Sequence, residues 1–344
     1  MNRYAKSNPL IQPNDVKCRF QSTEIIGTFN PAAVEVNGET VLLVRIAERV
    51  KTDGTCAGVP MIVDGKYTVR YFDYTNTEYD FSDSRLVKGK TQRYLTSMSY
   101  LAVARSKDGE HFTIDEQCGI YPETEYEAFG VEDARISVVE GKYYITYTAV
   151  SDRGICVALA TTKDFRTFEK LGVILPPDNK DVVLFPEKIN GKYYMLHRPS
   201  TSEFGKPEMW LASGATMDAW GNHCRLIGVS NEGWDSVRIG ACSSPIKTKD
   251  GWLTLYHGAD ANNRYCVGAL LLDLNDPSRV LKRSSKPFLE PVNDYEKMGF
   301  FGNVVFPCGC VERDGVLSIY YGAADDKVCR VDTPIADILN SLFT

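Results

Sequence analysis

The chain has 344 residues, of which 43% are hydrophobic and 24% are charged, so its composition is that of an ordinary globular protein and intrinsic disorder is excluded. Its formal net charge is −6 at pH 7, with acidic and basic residues interspersed, which gives no electrostatic footprint for nucleic acid or for an anionic membrane. We therefore expect a small neutral ligand rather than nucleic acid or a membrane surface.

The start of the chain, residues 1–6, leads into no apolar signal segment, and no run of eighteen apolar residues occurs in the sequence. We therefore expect a cytoplasmic protein without a membrane partner. Ten cysteines are scattered through the sequence, mostly in apolar strand-like runs, which predicts reduced and buried thiols. Cys308 and Cys310 form a C-x-C pair, but no second pair or histidine stands at zinc-binding spacing, so no metal site is expected.

Five segments share a pattern of an apolar strand, a turn dipeptide ending in glycine, and a second apolar strand rich in Tyr or Leu. They are residues 30–45, 131–148, 185–198, 245–258 and 305–322. Their turn dipeptides are Asn37-Gly38, Glu140-Gly141, Asn190-Gly191, Asp250-Gly251 and Asp314-Gly315. Asn-Gly and Asp-Gly are the strongest short-range signals for a tight β-hairpin, because both turn residues need positive φ. Each segment is therefore predicted to be a hairpin.

A second apolar motif follows several of the hairpins and predicts a third strand for each unit. It occurs at 101–108 and 157–164, with a weaker echo at 210–218, and it is closed by an Asp-containing turn. Beyond the first, successive turn dipeptides are about 50 to 65 residues apart, which is close to the spacing of one four-stranded propeller blade. The prediction is an all-β, five-bladed β-propeller that forms a single domain over residues 1–344.

Two regions depart from this repeat. Residues 51–98 lengthen the first unit and include a polar, Tyr-rich stretch, so they are expected to supply a blade's outer strands and a loop over the pocket. Residues 335–343 have the apolar spacing of a short amphipathic helix. This C-terminal helix could cap a blade or pack against a partner subunit. A homo-oligomer is therefore one of the expectations.

Polar residues beside the hairpin repeats are the candidates for a site, because the innermost strands of propeller blades bring residues together at the mouth of a central channel. They are Asn30, Arg45, Glu132, Asp133, Arg135, Lys180, Asp181, Glu187, Lys188, His197, Arg198, Tyr256, His257, Asp325 and Asp326. A glycosidase needs a pair of carboxylates. A site for a phosphate dianion needs convergent basic side chains, among which arginine binds bidentately. The set contains both kinds of residue.

Several of these residues also have simple structural interpretations. Residues 132–135 could form a local ion-paired turn, Arg198 could be a strand-end residue at the surface, and His257 could be a satisfied strand-end histidine. Arg45 differs, since it interrupts the apolar run 42–46, where a charge needs a partner or a ligand. The recurrence of polar residues at equivalent places in different repeats favours one shared pocket.

The motifs, in their order along nearly the whole chain, resemble those of glycoside hydrolase family 130, the β-mannoside phosphorylases and their hydrolytic relatives. The matching pieces are Phe-Asn-Pro at 29–31, Leu-Leu-Val-Arg at 42–45, Gly-Val-Glu-Asp-Ala-Arg at 130–135, residues 180–193, Leu-His-Arg-Pro at 196–199, residues 251–258, residues 268–273 and Tyr-Gly-Ala-Ala-Asp at 321–325. Together they are a specific signal, although each piece alone is weak.

The resemblance implies inverting phosphorolysis of a β-mannoside by orthophosphate, with α-D-mannose 1-phosphate as the product. It implies that Asp133 is the general acid, which passes its proton to the glycosidic oxygen through the sugar's own 3-hydroxyl. Phosphate would replace the water and the base of an inverting hydrolase, so a single carboxylic acid suffices. The implied phosphate-binding residues are Lys180, Arg198, His257 and Tyr265, and the implied residues around the mannose and the phosphate are Asn30, Arg45 and Asp325.

Two positions depart from the family pattern, because Ala134 stands where Pro is usual and Lys180 where Arg is frequent. Inorganic phosphate is a co-substrate in this interpretation and no cofactor is implied, so the expected partners are a small carbohydrate and phosphate. Residues 94–101, 234–236 and 263–266 look most similar to members that act on β-1,2-mannobiose and β-1,2-oligomannan. Three alternatives stay open: a β-1,4-mannoside phosphorylase acting on mannosyl-glucose or mannan oligosaccharides, an inverting β-mannosidase, and a non-catalytic carbohydrate-binding propeller.

Overall fold

Almost every regular segment of the protein is a β-strand. The computed structural model describes residues 2–200 and 203–343, and this part of the chain contains twenty-five strands, two α-helices and two 3₁₀ helices. In chain order the strands are β1 (Arg3–Tyr4), β2 (Thr23–Val36), β3 (Glu39–Val50), β4 (Cys56–Val63), β5 (Lys66–Asp73), β6 (Leu86–Lys88), β7 (Arg93–Leu95), β8 (Ser97–Ser106), β9 (Thr113–Ile120), β10 (Gly130–Val139), β11 (Lys142–Ser151), β12 (Gly154–Thr162), β13 (Glu169–Leu175), β14 (Asn179–Leu184), β15 (Tyr193–Pro199), β16 (Met209–Gly214), β17 (Trp220–Ile227), β18 (Arg238–Ala241), β19 (Ile246–Thr248), β20 (Gly251–Ala259), β21 (Tyr265–Leu272), β22 (Val280–Arg283), β23 (Val305–Arg313), β24 (Val316–Ala323) and β25 (Lys327–Pro334). The α-helices are α1 (Asp294–Lys297) and α2 (Ile335–Ser341), and the 3₁₀ helices are Pro13–Asp15 and Glu125–Glu127. The predicted all-β class and the C-terminal helix are confirmed.

The longer strands form five antiparallel groups, each hydrogen-bonded in chain order. Group 1 is β2-β3-β8-β9, group 2 is β10-β11-β12-β13, group 3 is β14-β15-β16-β17, group 4 is β18 and β19 with β20-β21-β22, and group 5 is β23-β24-β25. Groups 1 and 2 also touch through one parallel pairing, Gly130 with Ser99. Group 5 is completed by β1 from the other end of the chain, where Arg3 pairs with Asp332. The predicted third strands are therefore β8, β12 and β16.

Four of the five predicted turn dipeptides have positive φ at both residues. They are Asn37-Gly38, Glu140-Gly141, Asn190-Gly191 and Asp314-Gly315. Asp250-Gly251 differs, because only Gly251 has positive φ, at 148°. The hairpin between β19 and β20 still forms, with Thr248 paired to Gly251.

Buried apolar side chains join each group to the next one along the chain. One cluster links Leu159 of group 2 with Leu184 of group 3, another links Leu196 of group 3 with Ile239 of group 4, and a third links Leu255 of group 4 with Ile319 of group 5. The largest cluster unites Leu43 of group 1, Ile145 of group 2 and Tyr320 of group 5. The five groups therefore pack in cyclic order. Helix α2 caps groups 4 and 5, since Ile338 and, directly after the helix, Leu342 belong to their cluster.

The expectation for residues 51–98 is wrong in one respect. The outer strands of group 1 are β8 and β9, while the preceding segment folds into two separate hairpins, β4 with β5 and β6 with β7. The first of these closes on itself because Asp64 and Gly65 both adopt positive φ, at 48° and 72°, as a tight turn requires. These two strands pair only with each other and do not join the sheet of group 1.

The longest helix in the described part of the chain has seven residues, and none there has the length and apolarity that a membrane-spanning helix needs. All ten cysteines are free. Five of them are buried, but Cys18 and Cys224 are exposed, so the prediction of burial is wrong for these two.

Candidate active site

Three polar side chains of the site come from β-bulges in the first strands of groups 1, 2 and 3. Asn30, Asp133 and Asp181 have positive φ of 49°, 47° and 54°, and the strand register shifts at each of them. Asparagine and aspartate tolerate this left-handed conformation better than most residues. A bulge sets two residues opposite one and re-aims a side chain. A β-bulge with a left-handed residue therefore directs one polar side chain from each of three neighbouring groups toward the same site.

These bulges meet at a cavity of about 200 Å³. Its lining residues are Asn30, Arg45, Arg85, Asp133, Lys180, Asp181, Arg198, Arg238, Tyr265, Phe301, Val304, Phe306 and Asp325. Seven of the eight predicted site residues belong to this set. The eighth, His257, is fully buried beside Arg198 and does not line the cavity.

A larger crevice of about 560 Å³ lies beside the 3₁₀ helix Glu125–Glu127. Its walls are mainly apolar, and its buried Glu127 is already paired with Lys170 at 2.8 Å. Size alone therefore does not identify the site. The smaller cavity combines several carboxylates with several basic groups, which is the chemistry that the sequence predicts.

Asp133 is held by two donors at the centre of the cavity. Asn30 Nδ2 and Arg45 Nη1 donate to its Oδ1 at 3.0 and 3.1 Å, and Arg45 Nη2 donates to Glu132 at 2.8 Å. Burial favours a higher pKa for Asp133, but the charges of Arg45, Arg135 and Lys180 outweigh it and hold the pKa below its ordinary value. Asp133 is therefore ionised at neutral pH in this arrangement.

Asp325 faces the same cavity and behaves in the opposite way. Burial, together with the negative charges of Asp133 and Glu132, raises the pKa of Asp325 to about 7, although Arg45 and Arg85 oppose this rise. Two carboxyl groups in one cavity thus have pKa values that are pushed apart. Such a separation is characteristic of sites where one carboxyl group is protonated while the other is charged.

Asp181 joins three basic side chains beneath the cavity. Its Oδ1 accepts a hydrogen bond from Arg135 at 2.9 Å, and its Oδ2 lies 2.7 Å from Arg198 Nη1 and 3.4 Å from His257 Nε2. Burial opposes ionisation of Asp181, but the charges of Arg198 and Arg135 hold its pKa well below the ordinary value. The interpretation of Arg198 as a surface residue is wrong, because its side chain is 11% exposed and is paired with this carboxylate.

His257 is neutral at physiological pH in this environment. Burial, with smaller contributions from the charges of Arg198 and Arg135, lowers the pKa of the imidazole, although Asp181 opposes that shift. Its ring lies 4.3 Å from the ring of Phe306, centroid to centroid. His257 therefore supports Arg198 from below, and whether it also touches a ligand stays a prediction.

Other sequence candidates lie outside the cavity. Glu187 pairs with Lys247 at 2.6 Å and Lys188 with Glu140 at 3.5 Å, and all four side chains are at the surface. Tyr256 is buried and donates to Asp235 at 2.9 Å. Glu187 and Lys188 lie in the connection between β14 and β15, outside the strands, and Tyr256 alternates with His257 along β20.

Sequence reasoning missed two arginines that line the cavity. Arg238 opens β18 and its Nη1 donates to the hydroxyl of Tyr265 at 3.0 Å. Arg85 belongs to the inserted segment and pairs with Asp83 at 2.9 Å. A basic residue at the start of an apolar strand was a usable signal for Arg238. Nothing in the repeat pattern pointed to Arg85, because it lies outside the repeat.

The family model of glycoside hydrolase family 130, described as β-1,4-mannooligosaccharide phosphorylase, matches residues 84–343. The chain belongs to glycoside hydrolase family 130. The matched region contains six of the eight predicted site residues and all of groups 2 to 5. Most residues that line the cavity therefore lie within the region that matches the family model.

This family 130 protein is similar to named phosphorylases over 70% to 99% of its length. It is 47% identical over 350 residues to a β-1,2-mannobiose phosphorylase of Listeria innocua, with 99% of each chain covered. A 1,2-β-oligomannan phosphorylase of Thermoanaerobacter is 44% identical over 243 residues, which cover 70% of this chain and 80% of that relative. The solved structure of the Listeria innocua enzyme in complex with β-1,2-mannobiose superposes with a TM-score of 0.97 at 46% identity, covering 99% of both chains.

Proposed function

We propose that this protein is an inverting β-mannoside phosphorylase that cleaves β-1,2-mannobiose or β-1,2-oligomannan with orthophosphate and releases α-D-mannose 1-phosphate. The observation that supports it most is the meeting of one bulge-borne carboxylate, Asp133, with several basic side chains in a single cavity. The 47% identity to a β-1,2-mannobiose phosphorylase supports the same linkage.

The proposed roles follow from position in the cavity. Asp133 is the general acid. Lys180, Arg198 and Tyr265 hold the phosphate, with His257 supporting Arg198 from below, and Asn30, Arg45 and Asp325 hold the mannose beside it. Arginine and lysine are the residues that bind a phosphate dianion most strongly. A lectin would have no use for an acid next to such a group of cations.

In the proposed reaction a phosphate oxygen attacks the anomeric carbon of mannose from the face opposite the leaving group. The bond between that carbon and the glycosidic oxygen breaks in the same displacement, which inverts the configuration. The leaving oxygen takes a proton that Asp133 supplies through the mannose 3-hydroxyl. Phosphate itself prepares this acid, because its negative charge offsets the cations that hold the pKa of Asp133 low.

The same proposal extends to the architecture. We infer that the five antiparallel groups are the blades of one five-bladed β-propeller over residues 1–344, and the cyclic order of their apolar clusters supports this. We also propose a cytoplasmic enzyme that needs no metal or organic cofactor. Ten free thiols are consistent with a reducing compartment.

A β-1,4-mannoside phosphorylase is the second candidate, and the description of the matching family model favours it. One assay separates the two. The purified protein is incubated with β-1,2-mannobiose or β-1,4-mannobiose, with and without orthophosphate and with EDTA, and α-mannose 1-phosphate is measured. We expect a phosphate-dependent product from the β-1,2 disaccharide, unaffected by EDTA.

Three other results would contradict the proposal. Mannose released in phosphate-free buffer would identify a β-mannosidase, and preference for β-1,4-mannobiose would identify the second candidate. Sugar binding without turnover of either disaccharide would identify a non-catalytic propeller.

A further inference from the structure

Three polar side chains form a row that leads from Lys180, in the cavity wall, to the surface of group 3. Asn179 Oδ1 accepts a hydrogen bond from the amide of Lys180 at 3.1 Å. The side-chain amide of Asn179 also contacts Nδ1 of His197, and Nε2 of His197 lies 3.0 Å from Nδ1 of His223. Asn179 and His197 are buried, whereas His223 is exposed on β17, the outermost strand of the group. The row therefore connects a residue of the cavity with solvent.

His197 is neutral at physiological pH. Burial, with a contribution from the charge of His223, lowers the pKa of its imidazole to about 3. A neutral imidazole donates at one ring nitrogen and accepts at the other. If His197 donates to His223 through Nε2, its Nδ1 must accept from Asn179 Nδ2. If it accepts from His223, its Nδ1 must donate to Asn179 Oδ1. The hydrogen bonds of the row therefore all point outward or all point inward.

The direction of the row matters because Asn179 Oδ1 also holds Lys180. Asn179 Nδ2 and Oδ1 lie 3.1 and 3.2 Å from Nδ1 of His197, so a small rotation of the amide group selects either arrangement. In the outward arrangement Oδ1 serves the Lys180 amide alone. In the inward arrangement Oδ1 also accepts from His197 and turns toward that ring, which weakens its bond to the Lys180 amide. Lys180 stands directly before the bulge residue Asp181, so a shift of its backbone changes how its side chain is presented to the cavity.

The charge of His223 selects between the two arrangements. A neutral histidine can donate or accept at Nδ1, but a protonated histidine can only donate, so protonation forces the inward arrangement. Histidine is the side chain that ordinarily changes charge between about pH 5 and 8.

The charged groups around the row are engaged with other partners. Those on the four strands of group 3 form the ion pairs Arg198 with Asp181, Lys180 with Glu132 and Arg225 with Glu208. Next to the row, Asp178 accepts from the amide of Ile155, and Arg153 pairs with Glu125. His223 is therefore the group whose titration reaches His197.

We propose that Asn179 and His197 are positioning residues for Lys180, and that protonation of His223 weakens the binding of inorganic phosphate through them. This inference rests on the proposed phosphorylase function. Asn179, His197 and His223 are not among the residues that line the cavity, so they act through Lys180 and not by contact with the substrate. The effect should therefore appear in the affinity for phosphate and much less in the affinity for mannobiose.

The first experiment measures the KM for orthophosphate in the phosphorolysis of β-1,2-mannobiose at about pH 5.5 and about pH 7.5. In His223→Gln the side chain cannot take up a proton. We expect the ratio of the two KM values, acid over neutral, to be about two- to tenfold larger in the wild type than in His223→Gln, as for the weakening of one hydrogen bond. The ionisation of phosphate itself and of the cavity carboxyl groups affects both proteins alike and cancels in this comparison.

His111→Gln is the matched control for His223→Gln. His111 is also an exposed histidine, but it lies between β8 and β9 of group 1. This variant should keep the wild-type ratio of KM values.

The second experiment tests the connection to Lys180 at neutral pH. Asn179→Ala removes the acceptor of the Lys180 amide and should raise the KM for phosphate about two- to tenfold, while the KM for mannobiose changes by less than about twofold. Asn76→Ala is the control, since the exposed Asn76 likewise accepts from a nearby amide, that of Glu78 at 3.0 Å, but in the loop after β5. It should match the wild type in both KM values. Tm is measured for every variant.

The outcomes separate this inference from the proposed function. A wild type that forms no product with orthophosphate would overturn the proposed function itself. An active wild type whose ratio is matched by His223→Gln would overturn the role of His223, as would a pH effect that falls on the KM for mannobiose instead. A folded Asn179→Ala enzyme with the same KM for phosphate as Asn76→Ala would show that Asn179 does not position Lys180. If Asn179→Ala does not fold, the comparison at the exposed His223 decides by itself.

Discussion

At the scale of single residues, the cavity depends on how charges are shared among a few buried groups. Arg45 pairs with both Glu132 and Asp133, and Lys180 also pairs with Glu132, so two positive charges balance two negative ones on that side. Asp181 pairs with Arg135 and Arg198, which leaves one positive charge in excess on the other side. An incoming dianion changes that balance. Substitutions here should therefore separate catalysis, phosphate binding and pH dependence from one another.

Asp133→Asn should retain the fold and lose turnover. The amide cannot supply a proton, and general acid catalysis is worth about 10²- to 10⁴-fold in rate. The assay is kcat for phosphorolysis, with Tm measured alongside. Asp64→Asn is the matched control, because Asp64 has the same left-handed backbone, with φ of 48° against 47°, on an exposed turn. Near-normal turnover in a folded Asp133→Asn protein would remove Asp133 from the mechanism.

Arg198→Ala should weaken phosphate binding more than sugar binding. Removal of one charge-assisted hydrogen bond to phosphate should raise the KM for phosphate about ten- to a hundredfold. Arg198→Lys keeps the charge without the planar fork and should fall between wild type and Ala. Arg225→Ala, which breaks an exposed pair with Glu208 in the same group, is the control. If mannobiose binding drops and phosphate dependence is untouched, the basic residues serve another ligand.

Asp325 should make stability depend on pH. Its folded pKa of about 7 lies above the ordinary value of 3.8, so its contribution to folding is full below about pH 4 and is lost as pH rises through 7. Asp325→Asn removes this loss and should stabilise the protein by up to about 4 kcal/mol at pH 8 and by about 1–2 kcal/mol at pH 5. Urea denaturation at both pH values measures it, with the exposed Asp250→Asn as control. An equal effect at both pH values would contradict the assignment.

At the scale of elements, the hairpins were predictable and the bulges were not. Turn dipeptides such as Asn190-Gly191 carry their own conformational signal, so five hairpins could be placed from sequence. The bulges at Asn30, Asp133 and Asp181 have a weaker signature, a polar residue inside an apolar strand, which does not fix where its side chain points. The residues of the site were thus found largely through family motifs, and Arg238 was missed because its hydrogen-bond partner lies on another strand.

Gly240 in β18 packs so closely against Asp181 and His257 that no side chain fits at this position. A Cβ at Gly240 would lie 2.6 Å from Cε1 of His257 and closer still to Asp181 Oδ2. Gly240→Ala should therefore displace the carboxylate that holds Arg198, raising the KM for phosphate about tenfold and costing about 1–3 kcal/mol of stability.

The control for Gly240 is Gly221→Ala in β17, where a new Cβ would meet nothing within 4 Å. It should leave both the KM for phosphate and the free energy of unfolding near wild type or slightly improved. A Gly240→Ala enzyme with normal phosphate affinity would show that the Asp181 contacts do not position Arg198.

At the scale of the whole molecule, the two ends of the chain depend on each other. Beyond the pairing of β1 with β25, Asn8 Nδ2 donates to the carbonyl of Arg330 at 2.8 Å, and the amide of Arg330 donates back to Asn8 Oδ1 at 2.9 Å. Leu10 and Ile11 continue the contact through backbone hydrogen bonds to Val328. The repeat predicted five units, but a strand of two residues is too short to be read from sequence.

Asn8→Ala should weaken this connection. It leaves a backbone donor and an acceptor of Arg330 without their side-chain partner, which costs about 1–3 kcal/mol. The measurement is the free energy of unfolding in urea, with the exposed Lys6→Ala as control. Equal stability of the two variants would show that Asn8 does not hold group 5.

The partnership of β1 with β25 also has a consequence for biosynthesis. Arg3 is translated before its partner Asp332, which emerges only after more than three hundred further residues. Until then β1 has no pairing partner. Once β25 is made, its outer edge can pair with strands of other chains until β1 pairs with it. Groups 1 to 4 can assemble during translation, but the last sheet can be completed only after β25 has left the ribosome. Newly made or prematurely terminated chains should therefore be the form of this protein that most requires chaperones.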